Sequence, residues 1–207
     1  MYNYLHSNSL FYPFQSGFLP GHSTIHQLIE IYHNICLSLE GRQHICMVFC
    51  DISKAFDRVW HKGLYIKLKS YGFDGPFLSW LSDYISNISQ RVTIKNSHSH
   101  YCSLKSGVPQ GYVLGPLLFL IYINDIADNL NSLSRLFADD TSLLITSPSM
   151  IQIEEKLNED LDKLNEWSKI WLTNFNPDKT QVLLIKGYRS IENNPNLSFN
   201  NKSLECF

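Results

Sequence analysis

The chain has 207 residues, of which 44% are hydrophobic, enough to bury one sizeable core and a small second lobe. The formal net charge is −2, so the chain as a whole does not have the excess of basic residues that is typical of nucleic-acid-binding domains. The five cysteines show neither a Cys-x-x-Cys pair nor a zinc-like spacing with histidine. The longest apolar run, 113–123, is shorter than the ~20 residues that a membrane span requires. These features exclude a disulfide scaffold, a zinc module and a membrane helix, and they predict an intracellular protein of the cytoplasm or nucleus.

Charge is distributed unevenly along the chain. Between Arg42 and Lys105 nine basic residues are accompanied by only four aspartates, which predicts a surface that faces phosphates. Farther on, six acidic residues are spaced as the solvated face of a helix. They are Glu154, Glu155, Glu159, Asp160, Asp162 and Glu166.

The first predicted elements are a helix and a buried strand. Ser23 or Thr24 is expected to cap a helix over 25–39. The apolar run 45–51 is rich in strand-forming residues and predicts a buried strand. The last residue of this strand is a carboxylate, Asp51.

Two helices and a pair of strands are predicted next. The first helix begins near Lys62 and ends at Gly72 as a C-terminal cap. The second begins at Pro76 and places six apolar residues at helical spacing on one face. They are Phe77, Trp80, Leu81, Tyr84, Ile85 and Ile88. Alternating apolar and polar residues over 90–96 predict a strand, followed by a turn and a partner strand.

The second half of the chain is expected to contain a hairpin between two helices. Pro116 predicts the first position of a helix that runs to about residue 130. Strands over 133–138 and 141–146 flank Asp139 and Asp140, which would lie at the tip of the hairpin. A helix from about residue 149 and a strand over 181–185 follow. The buried side of that helix is predicted to contain Ile153, Leu157, Leu161, Leu164 and Trp167. Strands and a hairpin between long helices indicate an α+β fold, an antiparallel sheet with helices on one face.

Asp139 and Asp140 are the residues that point most directly to chemistry. Adjacent carboxylates repel each other and gain little from folding unless a cation lies between them and other acids. They could also be solvated turn residues, since aspartate is common in turns, but apolar flanks indicate that both arms of the hairpin are buried. Together with Asp51 they could hold two Mg²⁺ ions for in-line phosphoryl transfer.

A glycine-rich loop over 106–117 lies between the two acidic blocks. Its glycines permit a close approach of the backbone, and Pro109 stiffens it. Gln110 offers both a donor and an acceptor, which suits contact with a nucleotide or a template.

These blocks together resemble the reverse transcriptases of non-LTR, LINE-like retrotransposons. They recur in order over about residues 15–187, and their combination is far more specific than any block alone. The matching blocks are QSGF at 15–18, HST at 22–24, DISKAFDRV at 51–59, SGVPQGYVLGP at 106–116, IYIND at 121–125, FADDT at 137–141 and NPDKT at 176–180.

The resemblance implies an RNA-directed DNA polymerase, a nucleotidyltransferase with the right-hand polymerase fold. It makes Asp51, Asp139 and Asp140 the ligands of two Mg²⁺ ions, for which Mn²⁺ could substitute, together with the carbonyl of Ile52. Lys179 would act catalytically near the leaving pyrophosphate. The implied nucleotide-binding residues are Ile52, Ser53, Phe56, Gln110 and Gly111. Phe56 would be the steric gate that excludes a ribose 2′-hydroxyl, so the implied partners are dNTPs, a DNA primer and an RNA template.

The same resemblance implies a division of the chain and some departures from the family. Residues 1–44 and 60–105 would belong to the fingers, 45–59 and 106–190 to the palm, and 191–207 to the start of a connection to the thumb. The thumb, an upstream fingers block and an endonuclease, expected in a longer polyprotein, are absent from the 207 residues. The departures are Leu19 and Ile88, where the family often has arginine, and Tyr112, where it usually has serine.

Two other functions remain open at this stage. The chain could be an inactive retrotransposon remnant that keeps the palm fold. It could also be an RNA-dependent RNA polymerase, which shares the acidic geometry, although Phe56 argues against an enzyme that must admit the 2′-hydroxyl.

Overall fold

The fold is described from a computed structural model, and the structure describes residues 1–109, 111, 113–188 and 193–207. These residues form two compact units. Unit 1 consists of Met1–Phe11 and Lys54–Asn124, and unit 2 of Tyr12–Ser53 and Asp125–Phe207. The boundaries of the units differ from the predicted boundaries of fingers and palm, and that functional division remains a prediction. The predicted boundary at 190–191 lies outside the described residues.

The α-helices of the described part are α1 Tyr2–Ser7, α2 Thr24–Glu40, α3 His61–Ser70, α4 Gly75–Ser86, α5 Leu114–Ile123 and α6 Met150–Ile170, and a short 3₁₀ helix spans Phe56–Arg58. The strands of this part are β1 His44–Asp51, β2 Ser89–Gln90, β3 Thr93–Ile94, β4 Ser97–His98, β5 Cys102–Ser103, β6 Leu133–Phe137, β7 Asp140–Ser147, β8 Gln181–Ile185, β9 Leu197–Phe199 and β10 Lys202–Leu204. From α2 to β8 the helices and strands follow the order that the sequence predicts, whereas α1, β9 and β10 were not predicted. In the described part of the chain, no helix has the length and apolar character needed to cross a bilayer.

Unit 2 is built on a four-stranded antiparallel sheet in the order β6-β7-β1-β8. Alternate side chains of a strand point to the same face, so Ile45 and Met47 of β1 lie together with Leu144 of β7. Ile31 and Ile35 of α2, one helical turn apart, pack against this cluster. The α+β class and the antiparallel sheet predicted from the sequence are therefore confirmed.

The predicted start of α2 is also confirmed. The Oγ of Ser23 accepts a hydrogen bond from the backbone N–H of His26 at 3.4 Å, as an N-terminal cap does. The helix then runs from Thr24 to Glu40, one residue longer at each end than predicted.

Helix α6 buries its predicted apolar side, but the prediction for its acidic residues was wrong at one position. Asp160 is completely buried. Its carboxylate accepts hydrogen bonds from the backbone N–H groups of Asn131 and Ser132, both at 2.8 Å. Two bonds to a charged acceptor offset the loss of water around this carboxylate. Asp160 therefore fixes the segment that leads into β6.

Unit 1 contains α3, α4 and α5, with α3 packed against both others. Only part of the apolar face predicted for α4 is buried, because Phe77 and Trp80 are about half exposed. The buried stripe of this helix consists of Leu78, Leu81 and Ile85. The aromatic side chains instead stack along the outside of the helix, with Trp80 6.2 Å from Phe77 between ring centroids.

Helix α5 and the strands before it are shorter than predicted. The helix begins at Leu114, before Pro116, and ends at Ile123. Just after the helix, the amide of Asn124 donates to the Tyr71 hydroxyl at 2.6 Å and to the Leu10 carbonyl at 2.7 Å. The strand predicted over 90–96 forms only the short strands β2 and β3, and its alternating apolar side chains, Val92 and Ile94, are exposed.

Candidate active site

Two acidic residues lie at the end of the β6-β7 hairpin. The strands pair Phe137 with Asp140, so Ala138 and Asp139 form a two-residue turn. Ala138 has φ +55°, a left-handed conformation of the kind that tight hairpin turns use. The prediction placed both aspartates at the tip, but Asp140 is the first residue of β7, because so tight a turn leaves only two residues unpaired.

The neighbouring strand brings the third acid to the same place. In the antiparallel register of β1 and β7, Asp51 lies directly opposite Asp140. Such cross-strand pairs have their Cβ atoms ~5 Å apart. The sheet thus brings Asp51 next to the adjacent pair Asp139 and Asp140, which lies far from it in sequence.

The charges of the three carboxylates act on one another. Burial raises the pKa of Asp139, and the nearby charge of Asp51 raises it further. Burial also raises the pKa of Asp140, followed by the charges of Asp139 and Asp51, although more of this side chain is exposed to water. The Lys179 ammonium lowers both pKa values. A cation bound here would be stabilised by the same negative charge.

Lys179 reaches the acidic cluster from the segment before β8. Its Nζ lies 3.4 Å from Oδ2 of Asp51. Because the lysine side chain is 66% exposed, we expect this ion pair to contribute at most ~1 kcal/mol to stability. Asp51 Oδ2 itself is buried and accepts no hydrogen bond from the residues that the structure describes. A buried carboxylate oxygen without a hydrogen bond is a ligand atom that a metal ion would satisfy.

The carboxylates do not by themselves form a closed metal cluster. Within the described ranges, no group of three histidine, cysteine, aspartate or glutamate side chains is arranged to hold an ion. Like charges repel, and Asp51 lies beside the Lys179 ammonium instead. The donor set still fits a hard divalent cation, because every side chain in it offers oxygen.

A cleft of about 730 Å³ adjoins the acids within unit 2. One end is charged and contains Asp51, Asp140 and Lys179. The apolar side is formed by Leu28, Ile31, Phe49 and Phe137. This volume is within the range of pockets that hold small ligands.

The predicted nucleotide-binding residues are divided between the units. Ile52 and Ser53 follow β1 in unit 2, where Ile52 bridges Phe175 and the Ser53 N–H donates to the Asn174 carbonyl at 2.8 Å. Phe56 and Gly111 belong to unit 1, so their roles at the carboxylates remain predictions. Gln110 and the departure Tyr112 lie outside the described residues.

Within unit 1, the start of the glycine-rich loop is hydrogen-bonded to the turn that contains Phe56. The Phe56 ring stacks on Phe119 with centroids 4.5 Å apart. The Val108 N–H donates to the Phe56 carbonyl at 2.9 Å, and the Gly107 N–H donates to the Val59 carbonyl at 2.8 Å. Gly107 has φ +96°, and a Cβ there would lie 3.0 Å from the Asp57 carbonyl oxygen. Gly107 thus lies close to the backbone of this turn, whereas the close approach of the loop to a nucleotide or template remains a prediction.

Arg135 is a cleft residue to which the sequence analysis assigned no role. Arg135 of β6 lines the cleft, donates from Nε to Glu30 at 3.0 Å, and lies 4.1 Å from the Phe14 ring centroid. No local pattern could have revealed it, because its partners lie about a hundred residues earlier in the chain.

The sheet with its carboxylates defines the class of the protein, and the comparisons then name its family. Paired antiparallel strands with acids at one strand end and at a hairpin turn are the arrangement of a polymerase palm. The chain belongs to the reverse transcriptase family, because residues 1–204 match the family described as "Reverse transcriptase (RNA-dependent DNA polymerase)".

Curated relatives come from retrotransposons of Drosophila melanogaster. The chain is 36% identical over 174 residues to the "Probable RNA-directed DNA polymerase from transposon BS". It is 31% identical over 174 residues to the "RNA-directed DNA polymerase from mobile element jockey". Each alignment covers 80% of this chain and 19% of the relative, so the chain spans about a fifth of the length of these proteins. The predicted resemblance to non-LTR retrotransposon polymerases is therefore confirmed.

Solved structures support the fold. Telomerase from Candida tropicalis without its C-terminal domain superposes with a TM-score of 0.65 at 14% identity, covering 99% of this chain and 41% of that one. Telomerase from Candida albicans gives a TM-score of 0.61 at 17% identity, covering 88% and 32%. The comparisons do not favour an RNA-dependent RNA polymerase or an inactive remnant. Reverse transcriptases generally use divalent metal ions, which agrees with the oxygen donors of the acidic cluster.

Proposed function

We propose that this chain is the catalytic part of an RNA-directed DNA polymerase that extends a DNA primer with dNTPs on an RNA template. The observation that carries the proposal is the register of the sheet. It sets Asp51 opposite Asp140, beside the Asp139 turn, with the Lys179 ammonium 3.4 Å from Asp51. This is a cluster of oxygen donors with one cation at its edge, as nucleotidyl transfer requires.

Asp51, Asp139 and Asp140 would hold two Mg²⁺ ions, together with the Ile52 carbonyl. When bound, the ions would lower the pKa of the primer 3′-hydroxyl and neutralise charge on the triphosphate. Mn²⁺ would fit the same oxygen donors. The proposal is supported by the buried Asp51 Oδ2 without a hydrogen bond and by the raised pKa values of Asp139 and Asp140.

The other assigned residues would bind the nucleotide or act on its charge. Lys179 is largely exposed, so its ammonium could stabilise the negative charge that develops on the leaving pyrophosphate. Phe56 would exclude the ribose 2′-hydroxyl. Ser53, Gln110 and Gly111 would contact the incoming nucleotide.

The relatives indicate the longer protein and the nucleic acid with which this chain would act. They are longer than the chain, and one is named "Retrovirus-related Pol polyprotein from type-1 retrotransposable element R2" from Popillia japonica. A telomerase structure similar to this chain is described in complex with a fragment of telomeric RNA. We therefore propose that the chain is part of a polyprotein with a thumb and an endonuclease, and that it binds RNA.

Primer extension tests the proposal directly. The purified chain is supplied with an RNA template, an annealed DNA primer, dNTPs and Mg²⁺, and incorporation is compared with that of Asp139→Asn. Loss of one metal ligand should reduce the rate by on the order of a hundredfold or more, because metal ions contribute several kcal/mol of transition-state stabilisation.

Asp162→Asn is the matched control, since Asp162 is an exposed aspartate of α6. It should leave incorporation unchanged. No incorporation by the wild-type chain, or equal incorporation by Asp139→Asn, would contradict the proposal.

A further inference from the structure

The hairpin turn that carries Asp139 is held by a side chain from far away in the sequence. Oε1 of Gln15 accepts a hydrogen bond from the Ala138 N–H at 3.0 Å, and Nε2 lies 3.5 Å from the Ala138 carbonyl oxygen. The same Oε1 accepts from the Gly17 N–H at 2.7 Å. Gln15 is only 2% exposed, so these bonds form away from water. Both backbone polar groups of Ala138 are thus in contact with one buried amide.

The turn has a physical reason to need such a contact. The backbone of Ala138 is left-handed, with φ +55°, a conformation that residues with a side chain disfavour. A residue inside a two-residue turn also has no residue opposite it on the other strand to bond its N–H. A hydrogen-bond partner from outside the hairpin is therefore required if the N–H is to be satisfied when buried.

The segment that contains Gln15 lies along the edge of β6. The Leu136 N–H donates to the Phe14 carbonyl at 3.0 Å, and the Ser16 N–H donates to the Leu136 carbonyl at 2.9 Å. Gly17 then passes over the turn, and a Cβ at this position would lie 2.0 Å from the Ala138 nitrogen. Only a glycine permits that approach without a shift of the backbone. The segment and the turn are thus in direct contact along their backbones.

We propose that Gln15 is a positioning residue for the metal site. Its amide holds the Ala138 backbone so that Asp139 and Asp140 present their carboxylates to the ions. Gly17 provides the space for this contact. The inference rests on the proposed function of the three aspartates. It gives a role to the QSGF block, whose residues the proposed mechanism does not otherwise use.

The variant that tests the inference is Gln15→Met, which keeps the length of the side chain and removes its polar atoms. Two quantities are measured on the purified chain: the dissociation constant of Mn²⁺ by electron paramagnetic resonance, and the hydrogen exchange rate of the Ala138 amide by NMR. We expect the dissociation constant to rise about tenfold, as for other residues that orient metal ligands. We expect exchange at Ala138 to accelerate about tenfold or more, because the Gln15 acceptor is lost.

Asn158→Leu is a matched control. The side-chain amide of Asn158 also bonds to backbone groups that are distant in sequence. It accepts from the Ser198 N–H at 3.0 Å and donates to the Asn196 carbonyl at 3.0 Å. It should lower stability without changing Mn²⁺ binding or exchange at Ala138. If Gln15→Met does not fold, Gln15→Asn replaces it, because the shorter side chain keeps the amide but withdraws it from Ala138.

The outcomes separate this inference from the proposed function. Mn²⁺ binding that is absent, or unaffected by Asp51→Asn, contradicts the metal site itself, while exchange at Ala138 still reports whether Gln15 holds the turn. A folded Gln15 variant with wild-type exchange at Ala138 overturns the contact. Faster exchange with unchanged Mn²⁺ affinity overturns the positioning role and leaves Gln15 as a structural residue.

Discussion

The two halves of strand β1 differ in what surrounds them. Residues 44–48 are all buried, and Met47 lies in the cluster that packs against α2. In the other half Phe49 is 39% exposed, and Asp51 has a buried oxygen that accepts no hydrogen bond from the described residues. One strand therefore carries both part of the core of unit 2 and part of the proposed active site. Unfavourable charged groups are thus tolerated in a strand that is well packed a few residues earlier.

The largest loss of stability in strand β1 is expected at Met47. We expect Met47→Ala to lower the free energy of unfolding by ~2–5 kcal/mol, because it leaves a cavity between β1, β7 and α2. Phe49→Ala, two residues later on the same face, removes a larger side chain that is partly in water, and its effect should be smaller. Urea unfolding followed by circular dichroism measures both. A larger loss for Phe49→Ala would show that the core does not lie at the first half of β1.

Asp160 provides a second contrast, because it is a buried acid that is fully bonded. Asp160→Asn replaces one acceptor oxygen by a donor, so the backbone N–H of Asn131 or Ser132 loses its partner. We expect a loss of ~2 kcal/mol of stability, the usual cost of breaking a hydrogen bond to a charged group. Urea unfolding against Asp162→Asn, an exposed aspartate of the same helix, measures this loss. Equal stabilities of the two variants would contradict the role of Asp160.

The difference between Asp160 and the three acids of the proposed active site also shows what could be predicted from the sequence. Local patterns predicted the strand that ends in Asp51, the acidic hairpin and the apolar side of α6, because each depends on periodicity over a few residues. Spacing alone made Asp160 look like a solvated residue. Its burial depends on two N–H groups about thirty residues earlier in the chain, which no helical pattern contains.

The same limit explains the other differences. The Asn124 amide, directly after the end of α5, bonds to Tyr71 and Leu10, and these partners are distant in sequence. The QSGF block was recognised as part of the family pattern without a role, because the contact of Gln15 with Ala138 spans 123 residues. The sequence therefore indicates which side chains a site contains, whereas the hydrogen-bond partners that position those side chains depend on the tertiary structure.

The smallest expected effect has the opposite sign. Asp140→Asn should raise the stability of the metal-free protein by less than ~1 kcal/mol, because it removes a charge that repels Asp139 and Asp51. Burial and these two charges raise the pKa of Asp140, and its exposure to water keeps the gain small. Urea unfolding in EDTA at low salt measures the gain, which should shrink at high salt. With Mn²⁺ present the order should reverse, since the wild-type protein alone would gain the full free energy of ion binding. A variant that is less stable than wild type in EDTA would show that Asp140 is a structural residue and not a carboxylate kept for a cation.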